Sequence, residues 1–351
     1  MRTLVVSDLH LGARLERDVL RRAPALEALL DALGDVDRLV LLGDVVELLE
    51  QRPRRAMDDA EPVLRAIGAR LGVGREAVVV PGNHDAALPP DATPALARLT
   101  SWLAPAAVEV RYPGVWLRDG VWATHGHYLD RHVTIPGFER LASGVLGRLL
   151  GAPADHAASP DDYEVVLAPM YALLDAVAAR VADGRAAAPG NASARAWRRL
   201  SGDGTREWRA RVLAGAFPVG IGALNRIGIG PLKADLSGVE LRRASLRAMG
   251  EVVARLRIDA RHVIFGHTHR FGPLPDDELG EWRLSGGATV LNIGCWVYES
   301  MYLDRHWGNP YWPGGAAMVD ASGEGGRVRL LRLLEGVDAR ELRPQGVPVP
   351  A

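Results

Sequence analysis

Short apolar runs alternate along the first third of the chain with stretches in which apolar residues recur every three or four positions. Leu4–Val6 reads as a strand, ending in polar residues. Pro24 to Leu33 predicts a helix, with Leu26, Leu29, Leu30 and Leu33 at helical spacing. Leu39–Leu42 is a continuous apolar run that stops at Gly43-Asp44, and a second helix is predicted over Pro62–Leu71. Ala77–Val80 is a third strand, stopping at Pro81-Gly82-Asn83. Val115–Ala123 reads as strand, turn at Asp119-Gly120, strand, and leads into Thr124-His125-Gly126-His127. Strands alternating with helices predict a layered α/β core.

The pattern changes from about Tyr128 to about Glu240, where strand signals fade. Helices are predicted over Tyr163–Val181, Ala192–Leu200 and Thr205–Leu213. Val212–Leu232 is apolar and Gly-rich, broken by Pro218, Asn225 and Arg226. An amphipathic helix over Leu241–Leu256 and a strand over His262–Phe265 then restore the α/β pattern. The chain therefore reads as a core of residues 1–127 and 241–351 carrying a mainly helical insertion, 128–240. No internal repeat interrupts it, and the tail beyond Gly346 is Pro-rich.

Composition narrows the class. Of 351 residues, 48% are hydrophobic and 24% charged, which excludes a disordered or fibrous chain. Lys+Arg is 42 against Asp+Glu 43, so bulk charge gives no reason to expect nucleic acid as a partner. Cys295 is the one cysteine, which excludes an intrachain disulfide and a thiolate metal cluster. Met1 and Arg2 lead straight into the first strand, so no targeting peptide is expected, and no apolar run reaches the ~18 residues of a membrane span. A reducing, cytoplasmic setting fits these features.

Five polar clusters stand where apolar strands stop: Asp8-Leu9-His10, Gly43-Asp44-Val45-Val46-Glu47, Gly82-Asn83-His84-Asp85, Thr124-His125-Gly126-His127 and Gly266-His267-Thr268-His269. Open α/β sheets bind ligands at the carboxyl ends of their strands. Five such ends can converge on one site. Asp, Asn and His offer oxygen and imidazole donors without sulfur, a set suited to Mn²⁺, Fe or Zn²⁺. On an extended chain, D-x-H or H-x-H turns both side chains to one face. Any one of these clusters is more often a plain turn. Seven donors in this order, each just after a strand, predict a metal site. By chemistry alone either His125 or His127 could be the ligand.

The ordered set D-x-H, G-D-x-x-E, G-N-H-D, T-H-G-H and G-H-T-H, from Asp8 to His269, resembles the calcineurin-like metallophosphoesterase superfamily. The resemblance implies a four-layer α/β/β/α sandwich, here with a helical cap insertion, and two divalent metal ions, manganese first, with iron or zinc as alternatives. Carried over by motif, Asp8, His10 and His269 hold one ion, Asn83, His125 and His267 the other, and Asp44 bridges them. His125 is favoured over His127 because the family's Gly follows its ligand, which leaves His127 near the substrate. His84 matches the substrate-facing histidine, Asp85 its orienting carboxylate, and Glu47 a supporting group behind the ligands. Arg270 follows the last ligand and could grip phosphate through its fork; a surface arginine reads equally well.

The implied reaction is hydrolysis of a phosphate ester or pyrophosphate by a metal-bridging hydroxide. Ser7–Gly12 with Gly43–Glu47 is similar to the branch of UDP-2,3-diacylglucosamine pyrophosphatases, whose helical cap occupies the place of the insertion. The insertion here is longer, and His84 departs from that branch's usual arginine. Arg195, Arg198, Arg199, Arg206, Arg209 and Arg211, interleaved with Trp197 and Trp208, precede the apolar Val212–Leu232. Such a segment suits peripheral contact with an anionic membrane, on the inner face of the plasma membrane, or a hairpin with a solvated basic face. The substrate is thus a small or lipid-linked phosphate compound. A nuclease or protein phosphatase on the same core is the alternative, and a scaffold is disfavoured because every ligand is present.

Overall fold

A computed structural model describes residues 1–49, 52–85, 94–135, 138–152, 154–183, 237–300, 302–303, 307–320 and 327–344. The predicted helices over Ala192–Leu200 and Thr205–Leu213, the arginine run and Val212–Leu232 lie outside the described residues, as does the tail beyond Gly346.

The fold is mixed α/β with two sheets. Strands β1 (Arg2–Val6), β2 (Arg38–Leu42), β3 (Glu76–Val80) and β4 (Ala107–Val110) run parallel, and β10 (Gly315–Asp320) and β11 (Arg327–Arg332) extend the sheet antiparallel beyond β1. The second sheet orders β5 (Gly114–Arg118), β6 (Val121–Thr124), β7 (His262–Phe265), β9 (Thr289–Ile293) and β8 (Phe271–Gly272), with β6, β7 and β9 parallel.

The period-two alternation of each strand sorts its residues into two cores. Leu4, Val6, Leu39, Leu41, Ala77 and Val79 face helices α1 (Ala23–Ala32), α2 (Pro53–Leu71) and α3 (Pro94–Trp102) through Leu29, Leu64, Ile67 and Leu99. Val5, Val40, Leu42, Val78 and Val80 face the other way, onto Val115, Leu117, Ala123, Ile264 and Ile293 of the second sheet. One helical layer and two sheets thus stack within one unit, and both faces of β1–β3 are dry. That explains why these strands read as continuous apolar runs.

Contacts divide the chain into two compact units, residues 1–127 with 259–351, and residues 128–258. Among described residues, the second unit holds α4 (Phe138–Leu149), α5 (Pro160–Asp183) and α6 (Gly238–Arg255). The sequence reading returned to the core at 241, whereas α6 groups here with the second unit. No described helix is long and apolar enough to cross a membrane.

Two element readings need correction. Helix α2 begins at Pro53, with Pro62 inside it. Proline is favoured in a first turn, so Pro62 looked like a start, but the buried face runs on through Ala56, Met57, Ala60, Val63 and Leu64, and tertiary packing outweighs one lost hydrogen bond. Strands β4, β8, β9, β10 and β11 and helices α3 and α4 have no counterpart among the predicted elements.

Candidate metal centre

Every donor cluster lies in the first unit, at the carboxyl end of a strand: Asp8 and His10 after β1, Asp44 after β2, Asn83 to Asp85 after β3, His125 and His127 after β6, His267 and His269 after β7. The β1–β2 pairing continues past the strand ends, because Asp8 N–H donates to Gly43 O at 3.1 Å and His10 N–H to Asp44 O at 2.8 Å. Five of the candidate ligands adopt a left-handed backbone: Asp8 (φ 56°), His10 (44°), Asp44 (51°), His267 (65°) and His269 (57°). Each costs about 1–3 kcal/mol, a strain that clusters at functional sites. Gly43 has φ 84°, and a Cβ there would meet the His125 ring at 2.3 Å. A Cβ on Gly266 would lie 2.3 Å from Asp8 Oδ2. Both glycines let a strand end approach its neighbour's ligand.

The donor atoms converge. His10 Nε2 lies 3.2 Å from His269 Nε2, and His269 Nε2 lies 3.3 Å from Asp8 Oδ1. Asp44 Oδ2 is 3.6 Å from His10 Nε2 and 3.2 Å from His125 Nε2, and the latter is 3.1 Å from Asn83 Oδ1. Three sets each bring their ligand atoms within 4.8 Å of one another: Asp8, His10 and His269; Asp44, His125 and His267; and His10, Asp44 and His84. Asp44 shares a set with residues on either side of it, as a bridging carboxylate must. Imidazole nitrogens facing each other at 3.2 Å, ringed by buried carboxylates, gain more from a shared cation than from one another. The donor set therefore fits divalent metal ions, and His125 rather than His127 joins it.

The groups behind the donors differ from the expectation. The carboxylate that holds His84 is Glu47, not Asp85. Glu47 Oε1 lies 2.7 Å from His84 Nδ1 and its Oε2 lies 2.8 Å from His10 Nδ1. Asp85 instead accepts the backbone N–H groups of Val45, Val46 and Gly82 at 2.9, 2.9 and 3.3 Å. A side chain next in sequence to His84 on a tight turn points away from it, so Asp85 pins the loop that carries Asp44. The backbone N–H of His84 donates to Asp44 Oδ1 at 2.8 Å. Leu42 O fixes His125 Nδ1 at 3.0 Å, which turns Nε2 towards Asp44.

Charge follows this geometry. Burial opposes ionisation of Asp44, yet His125, His84 and His10 hold its carboxyl well below the usual range. Glu47 is likewise held well below it, against burial, by His84 and His10. Burial opposes a charged His125, but Asp44 and Asp8 push it up to about 9. Asp85 is pushed up to about 6, by burial and then by Asp44.

Two expected substrate contacts are placed differently from each other. His127 lies beside the donors, its ring 5.6 Å from that of His125 and 6.5 Å from that of His267, with Tyr112 Oη 3.4 Å from its Nε2. The fork of Arg270 is engaged by buried Asp277, at 3.0 and 2.7 Å, and its guanidinium lies over the Trp282 ring. Two supporting residues went unforeseen. Asn292 on β9 donates to Gly266 O at 3.2 Å and Thr268 Oγ1 at 2.8 Å, fixing the turn between His267 and His269. Glu299 lies 3.8 Å from His269 Nδ1 and accepts from Arg17 at 2.9 Å. An Asn breaking an apolar strand run was the only signal for Asn292.

Known proteins place this centre in a family. A family model described as calcineurin-like phosphoesterase matches residues 1–191. No curated protein sequence matches the chain. Solved structures similar to it include a candidate 5′-nucleotidase from Staphylococcus aureus in complex with α-ketoglutarate, at 10% identity and TM-score 0.32, covering 94% of this chain and 52% of that one. Another is a cold-active protein-tyrosine phosphatase from a psychrophilic Shewanella, at 14% identity and TM-score 0.24, covering 91% of this chain and 75% of that one. The chain thus spans about half the length of the first of these, and the superpositions are loose. The family match covers more than half of the chain, including four of the five clusters that build the centre, and on that ground the chain belongs to the calcineurin-like phosphoesterases.

Proposed function

We propose that the protein is a metal-dependent hydrolase of a phosphate ester or pyrophosphate bond. The observation that carries this reading is the meeting of Asp8, His10, Asp44, Asn83, His125, His267 and His269 from five strand ends, with His84 beside them. In this reading Asp8, His10 and His269 hold one divalent ion, Asn83, His125 and His267 a second, and Asp44 both, with manganese the first choice and iron or zinc the alternatives. Two such ions would polarise the phosphoryl oxygens and lower the pKa of water to about 7.

The chain's own residues supply the rest. Glu47 fixes His84 through Nδ1, and in this reading Nε2 faces substrate and gives a proton to the leaving oxygen. Asp44 orients the same residue through its backbone N–H. His127 and Tyr112 flank the donors as substrate contacts. The substrate is a small or lipid-linked phosphate compound. The lipid-linked form draws on the basic and apolar sequence of residues 195–232 alone, with peripheral membrane contact through that segment.

The test is a hydrolysis screen of the full chain with Mn²⁺, Fe²⁺ or Zn²⁺ over bis-p-nitrophenyl phosphate, cyclic nucleotides, UDP-sugars and UDP-diacylglucosamine. Asp44→Asn should lose at least one ion and nearly all turnover. His84→Ala should keep both ions and lower kcat by roughly 10²–10⁴-fold, less for leaving groups of low pKa. Full metal content with unchanged rates in Asp44→Asn overturns the proposal. Equal loss for good and poor leaving groups removes the proton-donor role of His84.

A further inference from the structure

Two of the candidate histidine ligands have a partner fixed on Nδ1: Glu47 Oε2 stands 2.8 Å from His10 Nδ1, and Leu42 O 3.0 Å from His125 Nδ1. His269 turns the same side of its ring to Glu299, whose Oε1 lies 3.8 Å from Nδ1. That gap exceeds a hydrogen bond by about 1 Å. The same oxygen accepts from Arg17 Nη1 at 2.9 Å, and a carboxylate oxygen has a second lone pair to offer.

Backbone bonds set this pair in place. Trp296 N–H donates to Asp8 O at 2.9 Å, Val19 N–H to Trp296 O at 3.0 Å and Tyr298 N–H to Arg17 O at 2.8 Å, and Asp18 pairs with Val297 in an antiparallel bridge. The segment after β9 is thus laced to the loop after β1 that carries Asp8 and His10. Beyond the lacing the chain turns, with the N–H groups of Tyr302 and Leu303 donating to Glu299 O at 2.9 and 3.2 Å. The side chains of Arg17, Glu299 and His269 are 18%, 16% and 21% exposed, so water screens them only in part.

We propose that Glu299, held by Arg17, is the positioning residue of His269 and sets the affinity of the ion held by Asp8, His10 and His269. The inference rests on the metal-centre reading given above. A ring that binds a cation through Nε2 carries its proton on Nδ1. An acceptor there fixes the ring and makes Nε2 more basic. Arg17 fixes where the carboxylate stands and offsets part of its charge. The two ion positions then differ behind their donors: carboxylates stand behind His10 and His269, and a neutral carbonyl behind His125.

The experiment is a calorimetric titration of the full chain with Mn²⁺ after dialysis against EDTA, together with melting curves in EDTA. Glu299→Ala should bind one of two ions about 10–100-fold more weakly and leave the other unchanged. Glu299→Gln still offers an acceptor oxygen and should recover part of that loss. Arg17→Met removes the same ion pair but leaves the carboxylate facing His269. Its Tm in EDTA should fall about as far as that of Glu299→Ala, with no loss of Mn²⁺ affinity. A pair that merely braces the two loops would weaken Mn²⁺ equally in Arg17→Met and Glu299→Ala. That outcome, wild-type affinity in Glu299→Ala, or a glutamine variant no better than alanine overturns the proposal. Wild-type chain that binds no Mn²⁺ sinks the metal-centre reading and this inference with it. Two ions held with unchanged affinity in Glu299→Ala sink this inference alone.

Discussion

Glu47 divides its two oxygens between His10, a candidate ligand, and His84, the candidate proton donor, at 2.8 and 2.7 Å. A carboxylate accepts from both rings at once. An amide has one acceptor oxygen, so Glu47→Gln must present an N–H₂ to one of the two histidines. Metal affinity should fall by about 10–100-fold, the usual cost of losing a group that orients a ligand. If Glu47 also sets His84, kcat should stay roughly 10²-fold or more below wild type after metal is restored to saturation. Metal titration by calorimetry, followed by kinetics at saturating metal, separates the two effects; full recovery of kcat would confine Glu47 to the metal. The donors themselves were legible because each follows directly on an apolar run, so strand periodicity alone turned them to one end. The partner of His84 was not. Sequence adjacency suggested Asp85, whereas the contact is made 37 positions away by Glu47, and only the pairing of the loops after β2 and β3 brings it there. Glu299, on the far side of His269, belongs to no motif and gave no sign of its position.

The strand ends act as a rigid frame because neighbouring chains approach too closely for side chains between them. A Cβ on Gly266 would sit 2.1 Å from Ser7 Oγ and 2.3 Å from Asp8 Oδ2. Gly266→Ala must push Asp8 away from His267, whose backbone N–H donates to both Asp8 oxygens at 3.1 and 3.0 Å. Overpacking of this kind costs about 1–3 kcal/mol. Metal content should fall together with the Tm. Gly280→Ala is the control, since nothing lies within 4 Å of a Cβ there and its backbone is ordinary. A Gly266→Ala protein with unchanged Tm and metal content would show that the frame yields. The elements carrying this frame were readable because β2, β3 and β7 are continuous apolar runs buried on both faces. Most of the elements that were missed lack that signature. β4 is half exposed, β11 carries three arginines at a sheet edge, and Asn292 breaks the run of β9. β10 is buried on both faces, but half of it is Gly and Ala, which are weak strand formers.

For the whole molecule, protons and metal ions compete for one set of groups, and this sets how stability varies with pH. His125 is raised from 6.5 to about 9 in the folded metal-free chain, so its contribution is complete below about pH 6.5 and is lost as pH rises through 9. His10, also raised, against burial and by Glu47, acts in the same sense. Asp44 and Glu47 are held well below their ordinary values of 3.8 and 4.5, so their contributions are present above those values and disappear on acidification. Asp85 is raised from 3.8 to about 6, and its contribution fades as pH rises through 6. The histidines and the two depressed carboxylates leave the metal-free chain most stable between about pH 4.5 and 6.5, Asp85 draws that optimum towards its acid end, and stability falls towards pH 9. A divalent cation needs the neutral ring of His125 and so must displace its proton, which makes binding tighter as pH rises. Melting curves from pH 5 to 9 in EDTA should therefore peak on the acid side, whereas those with Mn²⁺ should peak at higher pH. The gain in Tm from metal should widen steadily across the range. A gain that is the same at pH 5 and pH 8 would mean that no protonated histidine is displaced, and would remove His125 from the metal site.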